Sequence, residues 1–381
     1  MRILFLDQFA DLGGAQHALL DTVDAVLKAG WEARVLLPGP GPLMDALRAR
    51  RVPTNEIPCG PYRSGSKPAS DFVRFALDLR RQVRIIDELL DGIGLVYVNG
   101  PRLLPAAALA ARSRAPVVFH LHSHLRGSAL RLARWSMWRA RATVVGCSNS
   151  VLDPLRPHLA ESSFYVIPNG VRDQGFRTRA FEEGRPLRIG MIGRIAPEKG
   201  QLEFVAAAAL LRDQFPRARF VICGAPLFSA NGSYFESVRA RATNLPVEFV
   251  AWQSSVSEVL RDLDLLVVPS RQEGMGRVVL EAFSAGVPVI AFPAGGIPEA
   301  VIDRVTGFLT QDFTPAALAL SIHDAIGAGP ETLRRIASNA RETWARRYTL
   351  PAYRERIRNL IESLQPDSRP ARETEMPLPR R

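Results

Sequence analysis

Short runs of β-branched and apolar residues alternate with helix-length segments along almost the whole chain, and that order leaves few folds open. RILFL (2–6), ARVLL (33–37), GLVYVN (94–99), PVVFHLH (116–122), TVVGCS (143–148) and FYVIP (164–168) are continuously apolar, as strands buried on both faces are. The alternation restarts at LRIGMIG (187–193) and continues through RFVICG (219–224), VEFVAW (247–252), LDLLVVPS (263–270) and VPVIAF (287–292). Strand–helix–strand order implies parallel sheets covered by helices and joined by right-handed crossovers. A chain of 381 residues is long enough for two such domains, each with a full core.

The break between them is expected in PNGVRDQGFRTRAFEEGRP (168–186), which has turn residues and mixed charge but no apolar period. That gives a first α/β domain over 1–172 and a second over 173–349. An amphipathic helix follows at 350–364, and a polar, proline-rich tail over 365–381 is expected to be disordered. The longest apolar run among the helix-length segments, Phe204 to Leu211, is far short of the ~20 residues needed to span a bilayer. The apolar run at the start, Ile3 to Leu6, is too short for a signal peptide. Cys59, Cys147 and Cys223 are odd in number and in no metal-like spacing, as expected of reduced, packed thiols in a cytoplasmic protein.

The net charge of +11 points to an anionic partner. Eight arginines and no acidic residue lie between Asp91 and Asp153. Charge alone leaves nucleic acid, an anionic membrane and a phosphorylated substrate open.

Three glycine-marked turns narrow the choice. In SRQEGMGRVVLEAFSAGVPVIA (270–291), Glu273 stands beside Gly274 and Gly276 just after a buried strand, and Glu281 follows at a spacing of eight. A helix starting near Met275 would offer free N–H groups to an anion, with a carboxylate on either side of it for hydroxyls. The alternative is that Glu273 is a helix cap and Glu281 a surface residue. In GMIGRIAPEKG (190–200), Arg194 and Lys199 occupy a strand–helix turn; Arg is a planar fork for phosphate oxygens and Lys a compact charge. Lys199 is one of three lysines against 46 arginines. In DQFADLGGAQHALL (7–20), Gly13 and Gly14 open a helix after the first strand, as an anion cradle or a plain tight turn. Neither a P-loop nor a G-x-G-x-x-G fingerprint is present, which argues against a P-loop NTPase and a dinucleotide oxidoreductase.

Taken together, GGAQHALL, PVVFHLH, VIPNGV, GRIAPEKG, EGMGRVVLEAFSAGVPVIA and GGIPEAVIDRVTGFL resemble the retaining family-4 glycosyltransferases of the GT-B fold over roughly residues 1–364. The resemblance implies two Rossmann-like domains facing a cleft, with the C-terminal helix crossing back to the first. It implies that Arg194 and Lys199 hold the donor pyrophosphate and that Glu273 meets the donor sugar. The Met275 and Gly276 amides would lie close by, Glu281 would bind the ribose, and Gly14 would approach from the opposite side. His122 takes the position of the family's cleft histidine. The implied donor is a UDP-, GDP- or ADP-sugar, with no metal and no other cofactor. The implied acceptor is a glycan or a lipid-linked molecule in cell-surface polysaccharide or glycolipid synthesis. Four positions depart from the family pattern: Gln16 replaces a common Glu, Arg172 and Asp173 shift a common acid by one, and Ala251 replaces a common Gly.

Two further patterns carry less. His120, His122 and His124 alternate as metal ligands on a strand do, but no Cys or acid is grouped with them. Asp262 and Asp264 lie at the entrance of a buried strand, the wrong end for a ligand. The reading is therefore a metal-independent, retaining hexosyltransferase. Its rivals are a sugar-nucleotide epimerase of the same architecture and a basic nucleic-acid-binding module; the latter leaves the two glutamates unexplained and shows no aromatic–basic recognition motif. One surface element adds to it. In RGSALRLARWSMWRARA (126–142), read as a helix, Leu130, Ala133, Met137 and Ala140 share one face, and Arg131, Arg134, Trp135, Trp138 and Arg141 another. Arginine beside tryptophan suits an anionic membrane boundary, placing the protein peripherally on the inner face of the cytoplasmic membrane. The alternative is that a neighbouring helix covers the tryptophans.

Overall fold

The computed structural model describes residues 1–60, 69–112, 114–158, 160, 163–176, 186–226, 232–253 and 255–365. The expected tail, from residue 366 onward, and the middle of the expected linker, 177–185, lie outside them. The strands are β1 Arg2–Asp7, β2 Glu32–Leu37, β3 Thr54–Glu56, β4 Leu95–Asn99, β5 Val117–Leu121, β6 Thr143–Gly146, β7 Phe164–Val166, β8 Arg188–Ile192, β9 Arg219–Cys223, β10 Val247–Val250, β11 Leu265–Val268, β12 Val289–Ala291 and β13 Phe308–Leu309. The helices are α1 Gly14–Lys28, α2 Pro42–Arg48, α3 Ala69–Leu89, α4 Leu104–Ala110, α5 Gly127–Ala140, α6 Asn149–Leu152, α7 Gln201–Leu211, α8 Gly232–Ala242, α9 Ser257–Asp262, α10 Arg277–Ala285, α11 Pro315–Gly327, α12 Gly329–Arg347 and α13 Leu350–Ser363.

Two parallel sheets result, ordered β3-β2-β1-β4-β5-β6-β7 and β10-β9-β8-β11-β12-β13. Each runs outward from its first strand in one direction and then reverses, so each has a switch point, between β1 and β4 in one and between β8 and β11 in the other. Crevices at the carboxyl ends of such strand pairs are where open α/β sheets hold ligands. Two strands escape the apolar pattern because they are short edges. β3 has three residues, two of them exposed, and β13 has two. Expected and observed helices agree closely at 350–364, where α13 ends at Ser363.

The helix runs back across the chain. Val171 N donates to Tyr348 O and Leu350 N to Val171 O, so the start of the expected linker is pinned rather than free. Leu350, Tyr353, Ile357, Leu360 and Ile361 then join Ile3, Phe5, Leu19, Val23 and Tyr97 in one apolar cluster on the first sheet. The Tyr353 hydroxyl lies 2.7 Å from Thr22 Oγ1, so its polar end is satisfied while the ring is buried. A Cβ on Gly170 would come within 2.5 Å of Tyr353 Cβ, so the chain turns there only as glycine. Replacing Tyr353, 1% exposed, by Ala removes a fully packed ring and is expected to destabilise the first domain by ~3–5 kcal/mol. Urea unfolding followed by Trp fluorescence measures this; a midpoint equal to wild type would show that the helix return contributes nothing.

Candidate functional site

The site forms where the two switch points meet. After β8, the chain turns through Gly193–Ala196 and one 3-10 turn, Pro197–Lys199, before α7. Gln201 Nε2 donates to Arg194 O at 2.7 Å and closes this turn. Gly200, at φ +78°, lies so near Pro269 O that a Cβ would be 2.0 Å from it. The glycine therefore lets the basic turn sit directly on the loop after β11. Lys199 Nζ consequently reaches Glu273 Oε2 at 2.6 Å, joining two residues that the sequence marks for separate roles. Their side chains are 22% and 15% exposed. An ammonium has three N–H donors, so two remain for an anion. Arg194 Nη2 is turned toward Glu198 Oε1, 2.8 Å away, on the same turn.

The helix expected near Met275 begins instead at Arg277. Gly276 precedes it at φ +73°, a left-handed conformation that L side chains adopt at a cost, and Met275 is buried behind it. The stretch between the two glutamates is thus loop then helix. Glu281 lies one turn after Arg277, on the same face of α10. Burial raises the Glu281 pKa, while the nearby Arg277 charge opposes that rise.

On the first domain, α1 opens at Gly14, and the Arg277 Cδ lies 3.7 Å from where a Gly14 Cβ would be. Arg277 continues to Asp21 Oδ2 at 3.3 Å, an ion pair spanning the domains with both side chains under 20% exposed. Sequence reading missed Arg277; its spacing of four from Glu281 was the available signal. His122 lies just past the end of β5, with Nε2 2.7 Å from Asn99 Oδ1. Its carbonyl faces Gly274, where a Cβ would lie 2.1 Å from that oxygen. Burial, with the Arg277 charge beside it, pushes the His122 pKa down to about 3, and the same two causes with further arginines bring His17 to about 4.

The structure thus gathers Gly14, His122, Glu273, Met275, Gly276, Glu281 and Lys199 at one cleft, with Arg194 at its edge on the Lys199 turn. Other marked residues go elsewhere. Asp264 Oδ2 accepts from Arg188 N, and Asp173 takes a two-pronged bond from Arg341, at 2.6 Å to each oxygen. His124 is displaced from its two neighbours: the rings of His120 and His122 lie 4.0 Å apart, tilted at 40°, while His124 lies against Gly295. Among the described residues no group of three or more His, Cys, Asp or Glu side chains is placed to hold a metal ion.

Comparison with known proteins converges on this arrangement. The family model described as glycosyl transferases group 1 matches residues 174–343, and that described as glycosyltransferase family 4 matches 12–174. Crystalline HepE of Anabaena, in complex with UDP and glucose, superposes with a TM-score of 0.80 at 26% identity, over 96% of this chain and 100% of that one. The sulfoquinovosyl transferase of Arabidopsis thaliana is 26% identical over 92% of this chain and 71% of its own length. A D-inositol 3-phosphate glycosyltransferase of Segniliparus rotundus is 34% identical over 38% of this chain, a match spanning only 33% of that protein's length.

A histidine held neutral by burial stabilises the fold above its unfolded pKa near 6.5 and loses that contribution as pH falls toward its folded value. For His122 the loss between pH 7.5 and pH 5 is about 2 kcal/mol. His122→Gln is therefore expected to show a pH dependence of stability shallower by that amount over this interval, measured by denaturant titration. An unchanged slope would mean that His122 is not held neutral by the cleft.

Proposed function

The chain belongs to the family-4 glycosyltransferases of the GT-B fold, and we propose that it transfers a hexose from a nucleotide-sugar donor to an acceptor hydroxyl with retention of anomeric configuration. The observation that carries the reading is the Lys199–Glu273 pair at the carboxyl edge of the second sheet, facing His122 of the first. In this assignment Lys199 and Arg194 hold the donor diphosphate, and the α10 N-terminus beside Met275 and Gly276 adds amide donors. Glu273 takes sugar hydroxyls, and Glu281, already poised among charges, takes the ribose. Catalysis rests on positioning and on stabilising the leaving diphosphate, which also helps to take up the acceptor proton on the same face.

The UDP and glucose named for the HepE crystal favour a uridine donor over GDP- or ADP-sugars. The acceptor is taken to be a glycan or lipid-linked molecule of cell-surface glycan or glycolipid synthesis, a reading supported by the exposed arginines and tryptophans of α5; D-inositol 3-phosphate, named for one relative, is neither a glycan nor a lipid. No metal or other cofactor is assigned, because in this reading Lys199, Arg194 and the α10 N-terminus supply the positive charge that the diphosphate needs. Incubation with UDP-, GDP- and ADP-sugars, with and without excess chelator, tests the reaction class. Nucleotide release that collapses with chelator would overturn the metal-free assignment.

Membrane docking through α5 belongs to the same reading. Ala133 and Met137 are buried under the helix as expected, with Leu130 and Ala140 half-buried, and among the described residues Trp135 stays 40% and Trp138 66% exposed. Arg131 and Arg141 are exposed beside them, while Arg134 Nη2 donates to Pro154 O. No described helix is long and apolar enough to cross a membrane. Each basic side chain at an anionic surface contributes ~1 kcal/mol, enough in sum for reversible attachment.

Three outcomes are expected. Glu273→Ala lowers turnover ~100-fold or more while the fold persists, as loss of a transition-state contact does; near-wild-type turnover would remove Glu273 from the site. Lys199→Ala and Arg194→Ala each weaken binding of a nucleoside diphosphate by roughly 1.5–3 kcal/mol in calorimetry, and unchanged affinity in both would remove the clamp. The protein co-sediments with anionic but not neutral vesicles at low salt. The Arg131/Arg134/Trp135/Trp138 quadruple alanine variant stays in solution, and equal pelleting of the two proteins would overturn docking.

A further inference from the structure

Three strands of the first sheet end side by side at the cleft, and their last polar side chains form a chain that the transfer reading does not use. Asp7 on β1 stands in register with Asn99 on β4, and Asn99 with His120 on β5, two residues before His122. Asn99 Nδ2 donates to Asp7 Oδ2 at 2.5 Å and to Ala15 O at 3.2 Å, which leaves its Oδ1 toward His122 Nε2 at 2.7 Å. Turning the amide over would set its oxygen against a carboxylate and a carbonyl, so this orientation is forced by acceptors on that side. Asp7 is itself surrounded by donors. Phe9 N gives to Oδ1 at 2.8 Å, and Gln16 Nε2 gives to both oxygens, at 3.0 and 3.3 Å. Gln16 Oε1 then accepts from Gly13 N at 3.2 Å, tying the network to the glycine turn that opens α1.

The proton count follows from these bonds. With an acceptor opposite it, His122 Nε2 carries the hydrogen, and Nδ1 is left with a lone pair. Nδ1 is buried and has no hydrogen-bond partner among the described residues. It is the one polar atom of this side chain that no protein group satisfies, and it belongs to a residue whose carbonyl abuts the Glu273 loop. A glutamate at position 16 would have put a second carboxylate against Asp7; the glutamine there supplies the donor that Asp7 needs.

We propose that Asp7 is a positioning residue which, through Asn99, holds His122 as the Nε2–H tautomer, so that Nδ1 is an acceptor-only site for a hydroxyl of the bound substrate. This rests on the transfer reading for the identity of the substrate, but the tautomer itself does not. Its burial places the Asp7 pKa at about 7, so the test is run at pH 8, where the carboxylate is ionised.

The experiment is long-range ¹H–¹⁵N NMR of ¹⁵N-histidine-labelled protein, with the His122 signals identified by their loss in His122→Gln. Wild type is expected to show Nε2 protonated and Nδ1 bare. In Asp7→Asn, position 7 can donate as well as accept, so Asn99 is free to turn and His122 is expected to populate the other tautomer. Nucleotide release from UDP-glucose is expected to fall roughly 10- to 100-fold in kcat, as with outer partners of functional histidines, with little change in donor KM. Asn99→Leu, which removes the acceptor opposite Nε2, is measured in parallel and serves alone where Asp7→Asn does not fold. An unchanged His122 tautomer in the folded variants overturns the proposal, and so does a changed tautomer with unchanged kcat. A wild type that releases no nucleotide from any of the UDP-, GDP- and ADP-sugars overturns the transfer reading instead, while the NMR result still decides the tautomer.

Discussion

The cleft depends on one place where the two domains touch main chain to main chain, at a glycine. Gly274 sits against the His122 carbonyl, so close that a Cβ would fall 2.1 Å from that oxygen; Gly295 and Gly296 pack on the Glu273 and Gly274 carbonyls of their own domain, and a Cβ on either would also come within 2.7 Å of His124 Cε1 or Ser148 Cβ of the first. A larger residue at Gly274 would push one domain off the other, and one at Gly295 or Gly296 would first distort the loop that carries Glu273 and Gly274. Bonds that depend on this approach follow directly. Ser148 Oγ donates to Gly274 O at 2.7 Å, and Glu299 accepts from Asn149 and Ser150 at the start of α6. The apolar cluster is continuous through the same contact, from Leu121 and Cys147 on one side to Met275 and Ile297 on the other. Side chains on opposite domains, such as His122 and Glu273, are therefore placed by main-chain contact rather than by flexible reach.

What the sequence discloses about this depends on how local each signal is. Buried parallel strands are legible because a strand covered on both faces must be apolar at every position, whereas β3 and β13 are too short, and β3 too exposed, to carry a pattern. Lys199 and Glu273 are each legible from the glycines beside them, but their pairing joins positions 74 apart and appears only once Gly200 has packed on Pro269. Asp7 and Asn99 are isolated polar residues with no local pattern to mark them, and Arg277 has only its spacing of four from Glu281. Their partners lie on other strands or on the other domain, so only the folded sheet edge gives them meaning. The departure at Gln16 was visible in sequence, yet its reason, the donors required by a buried Asp7, was not.

A second constraint is electrostatic. Asp21 on α1 faces Arg277 from α10 and Arg354 from α13, and Asp24 faces Arg50 and Arg354. All but Arg50 have side chains under 20% exposed. Taking such charges out of water costs nearly what their attraction returns, so this seam adds little net stability. Removing one partner leaves the other buried and uncompensated, and that asymmetry penalises other relative placements of α1, α10 and α13. The returning helix and the donor-side helix are thus registered on the same face of α1, next to Glu281, whose own charge Arg277 stabilises.

The position of α5 links this interior to the outer surface. Its first residue, Gly127, is only five positions beyond His122, so the helix starts at the rim of the cleft and runs back along the sheet. At ~1.5 Å per residue, Trp135 and Trp138 lie roughly 12 and 17 Å from that rim along the axis. An end-on contact at the tryptophans would lift the cleft away from the bilayer by that distance. With α5 lying along the surface, the rim and the indoles would meet it together, and Arg126 and Arg131, both exposed, would face headgroups at the cleft's mouth. For the membrane docking proposed above, side-on contact is the geometry that would let a lipid-linked acceptor reach His122 and Glu273 without leaving the interface, and it would hold the reactive hydroxyl within a short linker of the anchored lipid.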